Sequence, residues 1–328
     1  MPTVVITGGT GLIGKALSKA LVDIGYEVII LSRKIPDAED VLHKKTASES
    51  PGILSAPPRI SYARWNIEEQ TINKGAITKA DYIVHLAGAN VAAKRWTSQR
   101  KKEIIESRTR SSELLVKALS ENSNHVKAVI SASAIGWYGG IADMQSEDNG
   151  DTFTETDPAG DDFLGTTCQK WESSIEPVTT LGKRLVKLRT AIVLSNDGGA
   201  VKEFKKALRF GLAAIFGTGK QVMSWIHIQD IVRLYIYAIE NEKLHGVYNA
   251  AAPHPVSQKK FILQLARALR GRFFVPLYIP GFILKAVLGE MSIEVLKSAN
   301  VSSKKINSTG FTFLYPSITG AIHKLAAS

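Results

Sequence analysis

The residues that decide the fold are Val4-Val5-Ile6-Thr7-Gly8-Gly9-Thr10-Gly11-Leu12-Ile13-Gly14, near the start of the 328-residue chain. An apolar run is followed by a glycine turn and then by a segment, Lys15 to Ile24, with a helical pattern. Such a turn brings backbone N–H groups and the positive end of a helix against a pyrophosphate. A second strand is predicted at Glu27–Leu31, so the whole context favours a dinucleotide site. The turn residues predicted to contact the cofactor are Gly8, Gly11, Leu12, Ile13 and Gly14.

The end of the second predicted strand bears on which dinucleotide binds. A site for NAD places Asp or Glu there for the ribose 2′-hydroxyl, whereas a site for NADP offers Arg to the 2′-phosphate. This chain has Ser32-Arg33-Lys34 and no acidic residue before Asp37. Arg33 would give charge-assisted hydrogen bonds to the phosphate, so NADP(H) is the predicted cofactor. A solvated basic turn is the alternative.

The composition is that of a globular protein, with 45% hydrophobic and 22% charged residues. The start of the chain has no secretory leader pattern. The apolar stretch from Phe273 to Leu284 is too short for a membrane span and is interrupted by Pro276 and Pro280. The single cysteine, Cys168, excludes an intrachain disulfide. These features predict a cytoplasmic protein.

The net charge of +11 raises the question of a nucleic-acid partner. The basic residues are scattered along helical segments without interleaved aromatic residues, so nucleic acid is not expected to bind. A basic cleft for a phosphorylated cofactor would account for part of the excess of positive charge.

Strand and helix patterns alternate through the first half, which predicts an α/β fold, a Rossmann-type doubly wound parallel sheet. The predicted strands are Ile60–Arg64, Asp81–Leu86, Val126–Ser133, Leu185–Val193 and Gly246–Ala250. The predicted helices are Thr97–Leu119, Asp161–Ile175, Val201–Phe210, Ile231–Glu240 and Ser257–Leu269. The polar stretches Lys34 to Pro58 and Gly136 to Asp161 are predicted loops.

The alternation loosens after Gly198, which predicts a division of the chain into three parts. Residues 1–197 form the nucleotide-binding domain, with later segments crossing back to it. Residues 198–275 form a smaller substrate-side lobe, and residues 276–328 form a helical C-terminal appendage without a further sheet unit.

Several segments resemble the extended short-chain dehydrogenase/reductases. They are the glycine turn, Val84-His85-Leu86-Ala87-Gly88-Ala89, the stretch Ser131 to Gly139, and Trp225 to Asp230. Ser107-Arg108, Gly160 to Leu164, Trp171-Glu172 and Gly289-Glu290-Met291 are similar to the atypical branch of NAD(P)-dependent epimerase-like proteins. Members of that branch end in a domain of unknown function, matched here by Pro276 to about Leu325.

The resemblance implies further cofactor contacts. Leu86 and Ala87 would pass beneath the adenosine and the pyrophosphate. The other implied contacts are Ser32, Arg33, Glu103, Arg108 and Val193. For Glu103 and Arg108 the alternative is a surface pair on a charged helix.

The resemblance also implies a catalytic Tyr–Lys pair, which this sequence lacks. Ordinary members of the superfamily use a Tyr and, four residues later, a Lys that lowers the Tyr pKa. None of the nine tyrosines is followed by Lys at that spacing. Where the pattern places the pair, this chain has Phe163 and Thr167, and Phe has no proton to donate.

Ser133 and Tyr138 are the predicted catalytic residues. Ser133 keeps the position of the usual catalytic Ser at the end of a strand, where it would polarise a carbonyl. Tyr138 is the nearest phenol that would substitute as an acid. Two structural alternatives stay open, since Ser133 would also bind backbone and Tyr138 would also pack against Trp137.

Other polar residues are assigned structural roles. Asp230 is predicted to be the N-cap of the helix that begins at Ile231, which makes a catalytic pair with His227 the weaker interpretation. Cys168, on a predicted helix without a basic partner in sequence, is expected to be buried and inert. Metal-ligand spacing of His and Cys residues is absent from the sequence.

Two functions remain open. The first is an NADP(H)-dependent oxidoreductase or epimerase acting on a small substrate. The second is a non-catalytic NADP(H)-binding redox sensor or regulator that contacts a protein partner through its C-terminal segment. Relatives described as cell-division-inhibitor-like fit that second class.

Overall fold

The computed structural model describes residues 1–35, 59–140 and 152–327. An eight-stranded sheet forms its centre, with the strand order β12-β7-β6-β5-β1-β2-β3-β4. Its strands are β1 (Thr3–Thr7), β2 (Glu27–Ser32), β3 (Ile60–Asn66), β4 (Thr71–Ile72), β5 (Tyr82–His85), β6 (Ala128–Ala134), β7 (Arg184–Thr190) and β12 (Gly246–Ala250). Every neighbouring pair is parallel except β3 and β4.

Helices cover both faces of this sheet. The helices are α1 (Leu12–Asp23), α2 (Lys74–Lys79), α3 (Ser98–Glu121), α4 (Phe163–Ile175), α5 (Gly199–Arg209), α6 (Ile228–Glu240), α7 (Gln258–Arg270), α8 (Gly281–Leu288), α9 (Met291–Leu296), α10 (Lys304–Asn307) and α11 (Ile318–Ala327). Helices α1 and α6 pack on one face, and α2, α3 and α4 pack on the other. The predicted Rossmann-type doubly wound sheet is therefore confirmed. Among the described residues, no helix is both long and apolar enough to cross a membrane.

Short polar side chains cap the N-termini of several of these helices. The Thr97 hydroxyl accepts the Arg100 N–H at 3.1 Å at the start of α3. The Asp162 carboxylate accepts the Gly165 N–H at 2.8 Å at the start of α4. Such caps satisfy backbone donors that have no partner within the helix.

The later part of the chain builds a second core. Two short parallel ladders, β8 (Ile192–Leu194) with β11 (Trp225–His227) and β9 (Leu212–Phe216) with β14 (Val275–Ile279), lie beside the main sheet. The antiparallel pair β10 (Val222–Met223) and β13 (Val256–Ser257) completes this region. Helices α5, α7 and α11 share its buried cluster. The three predicted domain ranges stay a prediction.

Two predicted elements are wrong in detail. The single strand Leu185–Val193 is two strands, because the chain leaves the main sheet at Ala191 and β8 pairs with β11 instead. The purely helical appendage is also wrong, because Val275–Ile279 pairs with β9. Pro276 fits there since an edge strand tolerates a missing N–H donor.

The predicted role of Asp230 as an N-cap is wrong. His227 is the N-cap of α6, and its Nδ1 accepts the Gln229 N–H at 3.2 Å. Asp230 lies in the first turn, fully buried, and its carboxylate accepts the N–H groups of Leu314 at 2.7 Å and Tyr315 at 3.0 Å. Asp230 therefore ties α6 to the C-terminal segment.

The two predicted loops lie partly outside the described residues, since residues 36–58 and 141–151 are not among them. Within the second loop, Ile135–Tyr138 forms a short 3-10 helix. Cys168 is buried, as predicted, and burial raises the pKa of its thiol to about 12.

Candidate functional site

The glycine turn is packed directly against the end of β5. Gly8 has a φ of +68°, and a Cβ there would lie 2.7 Å from the Leu86 carbonyl oxygen. A Cβ on Gly14 would lie 2.5 Å from the Gly8 carbonyl oxygen. Gly11 is the N-cap of α1 and offers no side chain to the first-turn N–H groups. The turn thus forms an open cradle of backbone donors at a helix N-terminus, which fits a pyrophosphate.

A buried polar chain fixes the turn relative to β5. The Thr7 hydroxyl accepts the N–H groups of Leu86 and Ala87 at 3.1 and 3.2 Å and lies 2.8 Å from His85 Nδ1. His85 Nε2 lies 3.1 Å from the Ser112 hydroxyl. Burial lowers the pKa of His85 to about 3, so the ring is neutral. This network holds Leu86 and Ala87 beneath the glycine turn, where the resemblance implies a cofactor contact.

Ser32 is the last residue of β2 and Arg33 follows it directly, at the same edge of the sheet as the glycine turn. The Ser32 hydroxyl donates to the Lys34 carbonyl oxygen at 2.6 Å and so shapes the turn itself. Arg33 is exposed, and its charge is among those that lower the pKa of the Glu103 carboxyl, after the larger effect of Arg100. Arg33 and Glu103 are both exposed, and their contacts with a cofactor stay predictions.

Arg108 lies under the loop that follows β5. Its Nη1 donates to the carbonyl oxygens of Ala89 at 3.1 Å and Ile104 at 2.8 Å. Its guanidinium lies 4.8 Å from the centre of the Trp171 ring, and burial lowers its pKa to about 10. Arg108 remains charged at neutral pH, and its hydrogen bond to Ala89 supports the loop that follows β5, while its contact with a cofactor stays a prediction.

Val193 approaches the glycine turn from the second core. It lies in the middle of β8, and a Cβ on Gly199 would lie 3.4 Å from its carbonyl oxygen. A Cβ on Gly198 would lie 3.5 Å from Leu12. The structure thus brings Val193 and Leu12 to one region around Gly198 and Gly199.

The positions of the missing catalytic pair hold no acid or base. Phe163 is the first residue of α4, and its ring lies 4.7 Å from that of Trp96 in an edge-on arrangement. The Thr167 hydroxyl donates to the Phe163 carbonyl oxygen at 2.6 Å. Proton transfer by these two side chains is therefore excluded.

Ser133 belongs to a buried ionic network. Its hydroxyl donates to Glu172 Oε1 at 2.7 Å. Arg189 donates to both oxygens of the same carboxylate, from Nε at 2.8 Å and from Nη2 at 3.1 Å. Trp137 covers the Arg189 guanidinium at 3.7 Å. The hydrogen-bond partner of Ser133 is thus a carboxylate and not a backbone group, which was the structural alternative for this residue.

Tyr138 occupies the far end of this network. Its hydroxyl donates to Asn249 Oδ1 at 2.7 Å and lies 3.1 Å from Arg189 Nη1. Its ring stacks on Phe153 at 5.0 Å, rather than on Trp137. Burial raises the pKa of the Tyr138 hydroxyl. The structure joins Ser133 and Tyr138 through Arg189, and their catalytic roles stay predictions.

The sequence reasoning did not single out Glu172, Arg189 or Asn249 as site residues. Glu172 lies one residue after Trp171 on the inner face of α4, and both are buried. A carboxylate at a core position of an amphipathic helix needs a buried partner. This requirement was the signal in the sequence by which Glu172 could have been identified as a site residue. Arg189, buried on β7, was the matching cation.

The C-terminal segment reaches the rim of this region through two ion pairs. Lys101 of α3 pairs with Glu290, which directly follows α8 and Gly289. Lys297 Nζ lies 2.7 Å from Asp162, the N-cap of α4. Within the described ranges, no three His, Cys, Asp or Glu side chains are grouped so that they could hold a metal ion.

Comparison with protein families gives two matches. Residues 4–160 match the NAD dependent epimerase/dehydratase family, and residues 279–325 match a domain of unknown function. An epimerase family protein of Staphylococcus saprophyticus is 33% identical over 98% of this chain and 98% of its own length. One from Mycobacterium leprae is 32% identical over 97% of this chain and 94% of its own.

Solved structures agree with these matches. The human epimerase family protein SDR39U1, crystallised with NADPH, has a TM-score of 0.81 at 28% identity, with 99% of both chains covered. The nucleoside-diphosphate sugar epimerase of Corynebacterium glutamicum has a TM-score of 0.73 at 29% identity, with 100% of this chain and 59% of its own covered. The chain therefore belongs to the NAD-dependent epimerase/dehydratase family of NAD(P)-binding short-chain dehydrogenase/reductases, in the branch that carries this C-terminal domain of unknown function.

Proposed function

We propose that the protein is an NADP(H)-dependent oxidoreductase or epimerase that acts on a small molecule without the usual Tyr–Lys pair. The observation that carries the choice of cofactor is Arg33, exposed directly after β2 at the edge where the glycine turn lies. An acidic residue at this place would favour NAD, and none is present between Ser32 and Asp37. The NADPH bound by human SDR39U1 supports the same choice.

The residues that would hold the cofactor follow from the cradle. Backbone N–H groups at Leu12 and Ile13, in the first turn of α1, would meet the pyrophosphate, and Arg33 would meet the 2′-phosphate. The chemistry that a bound NADP(H) supplies is hydride transfer to or from a carbon of the substrate.

Of the two candidate catalytic residues, the geometry favours Ser133. Because its proton is donated to Glu172, its oxygen lone pairs are left to accept a hydrogen bond from a substrate hydroxyl. In oxidation, the substrate proton would pass to Ser133 Oγ as the serine proton passes to Glu172 Oε1. The Tyr138 hydroxyl donates its hydrogen bond to Asn249 Oδ1 and accepts one from Arg189, so Tyr138 would act by holding Arg189.

The deciding experiment is a fluorescence titration of the protein with NADPH and, in parallel, with NADH. The proposal expects a dissociation constant for NADPH at least about tenfold below that for NADH, since the 2′-phosphate adds charge-assisted hydrogen bonds. Equal affinities would contradict the NADP(H) assignment. Binding of neither nucleotide would contradict the proposal as a whole.

One observation favours a second candidate, a non-catalytic NADP(H)-binding redox sensor. Phe163 and Thr167 leave the usual acid and base positions without a titratable group. A screen of carbonyl compounds, alcohols and nucleotide sugars separates the two candidates. NADPH oxidation, NADP⁺ reduction or epimer formation that is slowed in Ser133→Ala supports the enzyme. Tight NADPH binding without any turnover supports the sensor, with residues 276–328 as its partner-binding segment.

A further inference from the structure

A compact group of apolar side chains is exposed at the amino ends of β9 and β14. Phe210 is 83% exposed, Phe273 82%, Val275 63% and Leu212 38%. Single exposed apolar residues are ordinary on protein surfaces, but a contiguous group of large ones marks an interaction site.

The backbone geometry shows that these four residues are neighbours. Val275 and Leu212 are register partners in the parallel pair, and the Val275 N–H donates to the Gly211 carbonyl oxygen at 2.8 Å. A Cβ on Gly211 would lie 3.7 Å from the Phe273 carbonyl oxygen. Phe210 and Leu212 flank Gly211 in the chain. The four side chains therefore leave from two adjoining backbone segments at one corner of the molecule.

Arginines surround this corner. Arg209 and Arg272 are exposed and directly precede Phe210 and Phe273, and Arg270 is exposed two residues before Arg272. The tip of Arg270 lies 3.9 Å from the place of a Cβ on Gly211. We call these three residues, together with Phe210, Leu212, Phe273 and Val275, the arginine corner.

The sequence around the arginine corner contains no negative charge. Residues 204–229 and residues 243–289 include no Asp or Glu, although they include eleven Lys and Arg residues. The positive charge of the corner therefore has no acidic counterpart within these two sequence ranges, which favours a partner that is anionic as well as apolar.

The arginine corner lies away from the candidate site. The opposite, carboxyl end of the same ladder is where the Gly217 N–H meets the Ile279 carbonyl oxygen and where Leu296 adjoins Gly217. Lys297, the next residue, reaches Asp162 at the rim of the candidate site. A partner at the amino end would leave the rim uncovered.

We propose that the arginine corner docks the protein on the surface of an anionic lipid bilayer. Exposed Phe side chains would insert at the boundary of headgroups and acyl chains, and the arginines would pair with lipid phosphates. A second copy of the chain is the poorer partner, because its own arginine corner would place like charges opposite each other. The proposal is independent of the cofactor and of turnover.

Co-sedimentation of the full chain with vesicles tests this proposal. Vesicles of phosphatidylcholine with phosphatidylglycerol should bind the protein, and vesicles of phosphatidylcholine alone should bind it at least about tenfold less. Phe210→Ser/Phe273→Ser and Arg270→Gln/Arg272→Gln should each lower binding to anionic vesicles about tenfold or more. High salt should weaken binding of the unchanged protein.

Matched controls separate the arginine corner from general charge and hydrophobicity. Lys79→Gln/Lys117→Gln removes the same charge elsewhere, and Ile24→Ser removes an apolar side chain that is 51% exposed at the end of α1. Both should bind vesicles as the unchanged protein does. No binding to anionic vesicles, or equal losses in the controls, would overturn the proposal. So would a dimer in light scattering that Phe210→Ser/Phe273→Ser dissociates, since the occupant would then be a second copy.

Discussion

Arg189 holds Glu172 through two nitrogen–oxygen contacts of 2.8 and 3.1 Å, and this pair joins β7 to α4 beneath the end of β6. Both side chains are buried, with Arg189 only 2% exposed. A buried ion pair adds little net stability when intact, because desolvation offsets the attraction, but removal of one partner strands a charge. The pair therefore fixes the carboxylate that accepts the Ser133 hydrogen bond, and loss of either partner would destabilise the fold.

We expect Arg189→Met to lower the free energy of unfolding by about 3–5 kcal/mol, because Glu172 would stay buried without its bidentate partner. Urea unfolding followed by circular dichroism measures the change. The double variant Glu172→Met/Arg189→Met should recover much of the loss, since neither charge then remains buried. A single variant as stable as the unchanged protein would contradict the assigned network.

We expect Ser133→Ala to lower kcat about a hundredfold with any substrate found by the screen, the low end for loss of proton transfer. Its dissociation constant for NADPH should be unchanged, because Ser133 lies apart from the glycine turn. Ser131→Ala is the matched control, as Ser131 is buried on the same strand and its hydroxyl donates to the Ala132 carbonyl oxygen. Equal kcat values for Ser133→Ala and Ser131→Ala would remove Ser133 from the mechanism.

Arg33→Ala should weaken NADPH binding by about 1–3 kcal/mol, the range for a hydrogen bond to a charged group. That loss corresponds to a dissociation constant roughly five to 150 times higher. Binding of NADH, which has no 2′-phosphate, should stay the same. Lys117→Ala removes an exposed charge from α3 and serves as the control. If the fluorescence titration gives Arg33→Ala the NADPH affinity of the control, the 2′-phosphate assignment is wrong.

The fold was largely predictable because its dominant sheet is built from local signals. The glycine turn and the apolar runs around β1, β2 and β6 each specify an element from neighbouring residues. The break at Ala191 was not predictable in this way, because Leu185 to Val193 contains no Gly, Pro, Asn or Asp to signal a turn and only the partner strand β11 divides it. Val275–Ile279 is likewise a strand only because β9 lies beside it.

His85 makes stability depend on pH. Its pKa is lowered to about 3 in the folded protein by burial, against 6.5 in the unfolded chain. Below pH 6.5 the unfolded chain binds a proton that the folded protein does not, so stability is complete above that pH and declines as the pH falls towards 3. The slope is about 1.4 kcal/mol per pH unit within this window.

Urea unfolding of the unchanged protein and of His85→Asn at pH 7 and pH 5.5 measures this contribution. His85→Asn should be less stable at pH 7, because its shorter side chain does not span from Thr7 to Ser112. Its loss of stability between the two pH values should be smaller by about 1 kcal/mol. Identical losses in both proteins would show that His85 is not the group that titrates.

The candidate site was predictable from the sequence only at positions whose role can be recognised from the residue type and its immediate neighbours. The glycines alone predict a phosphate-binding turn, and Arg33 alone predicts a 2′-phosphate contact, and both stay predictions. Ser133 and Tyr138 could be placed at the end of a strand, but not their partners. Glu172 and Asn249 come from a helix and an edge strand far along the chain, and only tertiary packing brings them to Ser133 and Tyr138.

The contact of Asp230 with Leu314 and Tyr315 has a consequence for how the chain is made on the ribosome. Domains tend to fold from their amino-terminal side during synthesis. Helix α6 is complete more than seventy residues before Leu314 is added, yet the buried Asp230 carboxylate has no backbone N–H from that segment until then. Until residues 314 and 315 have been added, the Asp230 carboxylate lacks these two backbone donors and is left with Arg233 of α6 as its partner, so α6 reaches its final packing on the sheet after that segment is synthesised.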